Sequence, residues 1–184
     1  MFSQITFVIS AISVSAIFLL ALVSAINRNF PFWPPPSKGS WQHKMFMGLF
    51  RAYLYPLIVL SALELEILEG RSAIIQFAVG GALLLIGFGL AFRITLGMGW
   101  HNAFGEKRGL KTTGWFAWSR NPIYVVTWVG LIGWAVLANS LVVTILLSAW
   151  ALLYLLAPFV EEPWLEEQYG EEYVAYKAKT PRFF

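Results

Sequence analysis

The side chains able to do chemistry are few, and most fall in two short stretches. Arg120-Asn121-Pro122 stands immediately before an apolar run, and Pro122 suits the first turn of a helix. Polar groups placed there meet a helix N-terminus, whose free N–H groups favour an anionic ligand group. Glu161 lies three residues beyond a second apolar run, Leu141–Pro158. A carboxylate at that depth needs a partner or a ligand. Other chemistries are closed off by composition. Cysteine is absent, which removes thiolate ligands and a Cys nucleophile, and all ten acids are glutamates. His43 and His101 are the two histidines, so a zinc or di-iron site built on histidine is not expected.

The elements that must position these residues are membrane helices. The chain has 184 residues, 58% hydrophobic and 12% charged, with a mean hydropathy of +0.65. Soluble domains carry about twice that share of charge. A hydrocarbon core about 30 Å thick needs about 20 apolar residues as helix. Ile5–Ile26, Met45–Leu63 and Ala73–Phe92 satisfy this. Ile123–Ala138 and Leu141–Pro158 are shorter and separated by Asn139–Ser140, which reads as a tight helical hairpin. The first segment lacks a basic leader, and its apolar run is too long for a secretory signal, so it reads as a retained span.

The expected fold is therefore all-α: a membrane bundle of about five transmembrane helices in a single domain, 1–184. Three helices occupy 1–92. A loop, the hairpin and a C-terminal amphipathic helix occupy 93–184 and form a pocket. Lys and Arg placement sets the orientation. Of thirteen basic residues, all but Arg71 fall in or flank the first loop, the third loop or the tail. Five spans put those three segments on one side, the cytoplasm, with the N-terminus outside. A pI of about 9.3 then reflects topology; nucleic-acid binding is not expected, because the basic residues lack a clustered face.

Several segments have their own readings. Phe30–Ser37, rich in proline and aromatics, reads as a stiff connector anchored in the interface by Trp33 and Trp41. Gly80, Gly81, Gly87 and Gly89 suit close helix packing. Leu96–Tyr124 is long, polar and Gly-containing, yet dense in Trp and Phe, which fits a functional loop better than a disordered one. Beyond the fifth span, residues 161–176 read as an amphipathic helix interrupted at Gly170. Glu162, Glu166, Glu167, Glu171 and Glu172 are expected on its solvated face, and Tyr173 and Tyr176 in packing. Arg182 either pairs with the glutamates or reaches a substrate.

Gly114-x-Phe116-x-x-x-Arg120-Asn121-Pro122-x-Tyr124, then Glu161-Glu162-x-x-Leu165, then Tyr169-Gly170-x-x-Tyr173-x-x-Tyr176 and Pro181-Arg182-Phe183 together resemble the isoprenylcysteine carboxyl methyltransferase family. Its wider superfamily includes membrane phospholipid methyltransferases. The resemblance covers about the last half of the chain. It implies a methyltransferase using S-adenosylmethionine, bound by the loop before the hairpin and the glutamate after it. The implied cofactor contacts are His101, Arg108, Gly109, Leu110, Lys111, Phe116, Asn121, Pro122, Ile123, Tyr124 and Glu161, with Arg120 and Glu161 as candidates for catalysis. Two positions depart from the pattern. Asn121 replaces the usual His. Ala157 stands where the eukaryotic prenylcysteine enzymes have an arginine thought to meet the substrate carboxylate, so methyl transfer is implied without carboxyl methylation of a prenylated cysteine.

Methyl transfer from a sulfonium is an in-line displacement that rests on positioning and desolvation. Tyr124, Phe116 and Trp100 are candidates for an aromatic cage around the cation, although interfacial Trp100 and Trp118 serve equally as anchors. Arg120 serves either the site or, by snorkelling, the phosphates. The partner implied is a lipophilic small molecule or a lipid, reached from the membrane. The competing classes are a membrane reductase of the sterol reductase type and a non-enzymatic lipid-binding protein.

Overall fold

The computed structural model describes residues 1–27, 29–99 and 109–184, and it is helical throughout, with no strand among those residues. The helices are α1 (Phe2–Ile26), α2 (Trp41–Leu63), α3 (Gly70–Met98), the single turn α4 (Trp115–Trp118), α5 (Pro122–Ala138), α6 (Leu141–Tyr169) and α7 (Glu171–Lys179). Four of them, α1, α2, α3 and α6, are long and apolar enough to cross a membrane. The 17 residues of α5 make a rod of about 26 Å, somewhat short of a hydrocarbon core about 30 Å thick. The protein is a multi-pass membrane protein, as the sequence implies.

The five long helices alternate in direction. Ser10 of α1 donates to the Tyr53 carbonyl of α2, and Ser3 meets Glu64. Gln76 near the start of α3 donates to the Leu137 carbonyl near the end of α5. Trp128 of α5 donates to the Ala151 carbonyl of α6. One end of the bundle thus gathers the 29–40 connector, the segment 109–121 and the C-terminal tail; the other gathers the acidic α2–α3 loop and the α5–α6 turn. There Gln76, almost fully buried, also donates to the Glu66 carbonyl and accepts from Leu68 N–H. A buried amide so fully satisfied costs little and pins the turn.

Between membrane helices hydrocarbon exerts no squeeze, so close backbone approach and polar bonds must hold them. The α3–α5 pair is the tightest contact in the bundle. A Cβ on Gly87 would fall 2.1 Å from Gly130 N, and one on Gly133 would fall 2.3 Å from Leu84 N. Gly80 abuts Leu137 in the same seam, whereas Gly81 and Gly89 have nothing within 4 Å. The packing reading of the α3 glycines therefore holds for Gly80 and Gly87 and fails for the other two, which face away from α5. The α1–α2 pair joins this unit through α6, where Tyr53 donates to the Leu146 carbonyl at 2.9 Å and Trp150 packs edge-on to Phe50 at 5.3 Å.

One expectation is corrected. The helix after the fifth span is not a separate element: α6 runs unbroken through Pro158 and Pro163 to Tyr169, and stops at Gly170 with φ 55°. Each proline deletes one ladder bond. The turn between them is held laterally instead, by the partners of Glu161 and Glu162 described below.

The glycine seam yields a stability contrast. Gly87→Ala should lower stability by about 1–3 kcal/mol, the usual cost of overpacking, while Gly89→Ala should change it by less than about 1 kcal/mol or raise it. Thermal unfolding of the detergent-solubilised protein checks both; equal shifts would show that the seam is not closely packed.

Candidate functional site

The bonds of Glu161 bring the two halves of the motif together. It is the twenty-first residue of α6, so about 30 Å of helix separates it from the opposite end, which places it at the membrane edge. Tyr124, in the first turn of α5, donates its hydroxyl to Glu161 Oε1 at 2.6 Å. The Trp33 indole N–H, from the α1–α2 connector, donates to the same oxygen at 2.7 Å. Neither bond uses Oε2. The Tyr124 ring lies against Tyr154 of α6 at 4.4 Å, and the Trp33 ring against Phe46 of α2 at 4.4 Å.

These groups line a cavity of about 920 Å³. Most of its wall is apolar and is made by α1, α2 and α6, with Ile17, Phe18, Phe46, Phe50, Leu153 and Ala157. A smaller polar part is made by Lys111, Arg120, Asn121, Tyr124, Glu161 and Tyr169. The sequence-predicted Gly109, Leu110, Lys111, Phe116, Arg120, Asn121, Pro122, Ile123, Tyr124 and Glu161 all lie on its wall. His101, Arg108 and Trp100 lie outside the described residues.

Glu162 overturns the expectation of a solvated glutamate. It is 5% exposed and accepts two bonds from Arg182, from Nε at 2.8 Å and Nη2 at 2.9 Å. Arg120 Nη2 meets the same carboxylate at 3.1 Å. A carboxylate facing two guanidinium groups is stable out of water because charge and hydrogen bonding are satisfied together. Adjacent residues on a helix differ by about 100° in direction, so Glu161 turns to the cavity and Glu162 to the arginines. Glu166 does lie at the surface, paired with Lys177.

This arrangement settles Arg182 as the glutamate's partner and ties up most of Arg120, which also reaches the Lys177 carbonyl at 3.4 Å. Arg120 Nε is buried with no partner among the described residues. The tail is laced to the segment before α5. Pro181 O accepts from Arg120 N–H at 2.9 Å, and Arg182 O accepts from Asn121 Nδ2 at 3.0 Å and from Ser119 Oγ at 3.2 Å. Asn121 thus places its amide on the tail. The Arg182 guanidinium lies 4.1 Å from the Phe159 ring centroid, and its bond to Glu162 raises its already high pKa. Tyr176 donates to the Phe116 carbonyl at 2.6 Å. Burial, partly opposed by Arg120, pushes that hydroxyl up to about 12, which keeps it a donor. Tyr173 is buried and packs edge-on to Tyr176, as the packing reading of both tyrosines requires.

Trp33 is the site residue that sequence reasoning missed. It is 128 positions from Glu161, and no spacing rule links them. A tryptophan among prolines reads as an anchor; the usable signal was that a stiff connector fixes where its indole N–H points.

An all-helical membrane bundle with a largely apolar cavity, polar along one edge, at one end defines the class. A family model described as phospholipid methyltransferase matches residues 75–172, more than half of the chain. The chain belongs to that family. It is also similar to the nickel-cobalt-cadmium resistance protein NccN of Alcaligenes xylosoxydans xylosoxydans, 29% identical over 131 residues, which cover 69% of this chain and 61% of that protein. The chain thus spans about three-fifths of that relative's length. No solved structure matches. The matched segment runs from α3 into α7; Trp33 and Arg182 lie outside it.

The ion cluster makes its own prediction. Glu162→Gln leaves two arginines without their counter-charge and should destabilise the protein by about 3 kcal/mol. Glu166→Gln, at an exposed pair, should cost less than about 1 kcal/mol. Thermal unfolding in detergent distinguishes them, and similar losses would mean that the buried cluster is solvated.

Proposed function

We propose that the protein is a methyltransferase that uses S-adenosylmethionine as donor and methylates a nucleophilic atom on a lipophilic or amphipathic acceptor. The observation that supports this most is the convergence of Tyr124, Glu161 and the 109–124 segment on one cavity whose remaining wall is apolar. When bound, the donor supplies a methyl group on a cationic sulfonium, and the reaction is an in-line displacement that needs no metal.

The residues present fit such a group. Glu161 Oε2, free of hydrogen bonds to the described residues, accepts from a ribose hydroxyl or the methionyl amine. The ring faces of Phe116 and Tyr124 attract a cation by about 0.5–2 kcal/mol each when water is excluded. Lys111 and the backbone N–H groups beside it suit the methionyl carboxylate. A volume of about 920 Å³ lies near the upper end of small-molecule sites, about 1,000 Å³, and leaves space for an acceptor chain beside the donor. The apolar wall of α1, α2 and α6 holds that chain and keeps water from the sulfonium. Arg120 serves as a positioning residue through Glu162. We place the cofactor face and the C-terminus in the cytoplasm, from the distribution of basic residues.

Titrating the purified protein with S-adenosylmethionine and with NADPH tests the donor. Binding of the first alone is expected; NADPH binding alone would favour a reductase, and binding of neither would sink both enzymatic readings. Glu161→Gln should weaken S-adenosylmethionine by at least about tenfold, the worth of a hydrogen bond to a charged group, and Glu166→Gln by much less. Labelled donor incubated with membrane lipid extract should yield labelled lipid; its absence would count against a lipid acceptor.

A further inference from the structure

The N-terminal helices lie outside the family match, which begins at residue 75, yet they deliver a side chain to the centre of the site. Ser24, buried near the end of α1, accepts from Phe32 N–H at 3.0 Å and Trp33 N–H at 3.3 Å, and its hydroxyl lies 3.3 Å from the Trp33 carbonyl. One hydroxyl therefore fixes the backbone on both sides of the Phe32–Trp33 peptide. Pro31, Pro34, Pro35 and Pro36 restrict the rest of the connector, and Phe32 is fully buried. Phe46 of α2 packs on the indole at 4.4 Å. The ring is thus held from α1 and from α2, and its N–H meets Glu161 Oε1 at 2.7 Å.

We infer that Trp33 is a positioning residue for the donor site: its indole N–H fixes the Glu161 carboxyl group so that Oε2 is presented to the ligand. The inference rests on the reading of Glu161 given above. A tyrosine hydroxyl rotates about its C–O bond and follows a moving carboxyl group. An indole N–H lies in the ring plane and cannot. With Tyr124 alone the carboxyl group keeps freedom to turn; with a second, rigid donor on the same oxygen its plane is set before the ligand arrives. Pre-set polar groups bind more tightly because less freedom is lost on binding. The α1–α2 pair, which also builds the apolar wall, thereby controls the acceptor of the polar part.

The test is a double-mutant cycle in the full-length protein, read as the dissociation constant for S-adenosylhomocysteine by calorimetry. Trp33→Phe keeps a ring against Phe46 and removes the N–H. It should weaken binding about tenfold in the otherwise unchanged protein, and by less than about twofold when Glu161→Gln is already present, because a residue acting through Glu161 has nothing left to hold. Equal losses in both backgrounds would make Trp33 merely structural and overturn the inference, as would undiminished binding by Trp33→Phe beside a weakened Glu161→Gln protein. If Glu161→Gln itself binds normally, the donor reading of Glu161 falls first and this inference with it. Should Trp33→Phe fail to fold, Trp33→3-benzothienylalanine, which puts sulfur in place of the N–H on the same bicyclic ring, gives the same comparison.

Discussion

A polar group at the edge of hydrocarbon is stable when bonded, and the functional end of this molecule follows from that constraint applied to two neighbouring carboxylates. Glu161 and Glu162 leave α6 in different directions and find partners in separate parts of the chain. Glu162 draws in the residue before α5 and the C-terminal tail. Glu161 draws in the first turn of α5 and the connector after α1. Three segments, the α1–α2 connector, residues 120–124 and the tail, are thus fixed against one turn of helix, which itself lies between two prolines. The connector and residues 120–124 line the cavity together with α1, α2 and α6.

The two halves of the bundle contribute differently. The α3–α5 seam is held by backbone against backbone at the glycines, an arrangement that tolerates little displacement. The α1–α2 pair meets the rest through side chains, chiefly an aromatic cluster around Trp150 and the two bonds of Tyr53 and Trp33. The family match covers most of the α3–α5 half and the whole of α6. The apolar wall of the cavity is built by α6 together with the unmatched α1–α2 pair.

Much of this was legible in the sequence, and the exceptions have physical reasons. Long apolar runs announced the spans because twenty residues of hydrocarbon contact leave no alternative reading. The hairpin was legible because Asn139, which adopts φ 48°, and Ser140, which caps α6, are turn and cap residues. Gly170 marked the end of α6. What was not legible depended on distant partners. The continuation of α6 past Pro158 defies local propensity and is sustained by bonds from other segments. Glu162 looked like its neighbours Glu166 and Glu167, since nothing local shows that Arg120 and Arg182 converge on it. Trp33 looked like an interfacial anchor, since composition carries no information about which acceptor its N–H meets. Gly81 and Gly89 were indistinguishable from Gly80 and Gly87 because a helix shows all its faces equally in sequence.

The tail braces the site from outside the family match. It supplies the second of the two cations on Glu162, Arg182 beside Arg120. Pro181 and Arg182 supply the carbonyls that Arg120 N–H, Ser119 and Asn121 donate to. The segment before α5 thus owes three hydrogen bonds to the tail. The polar edge of the pocket is held in place by residues that do not line it.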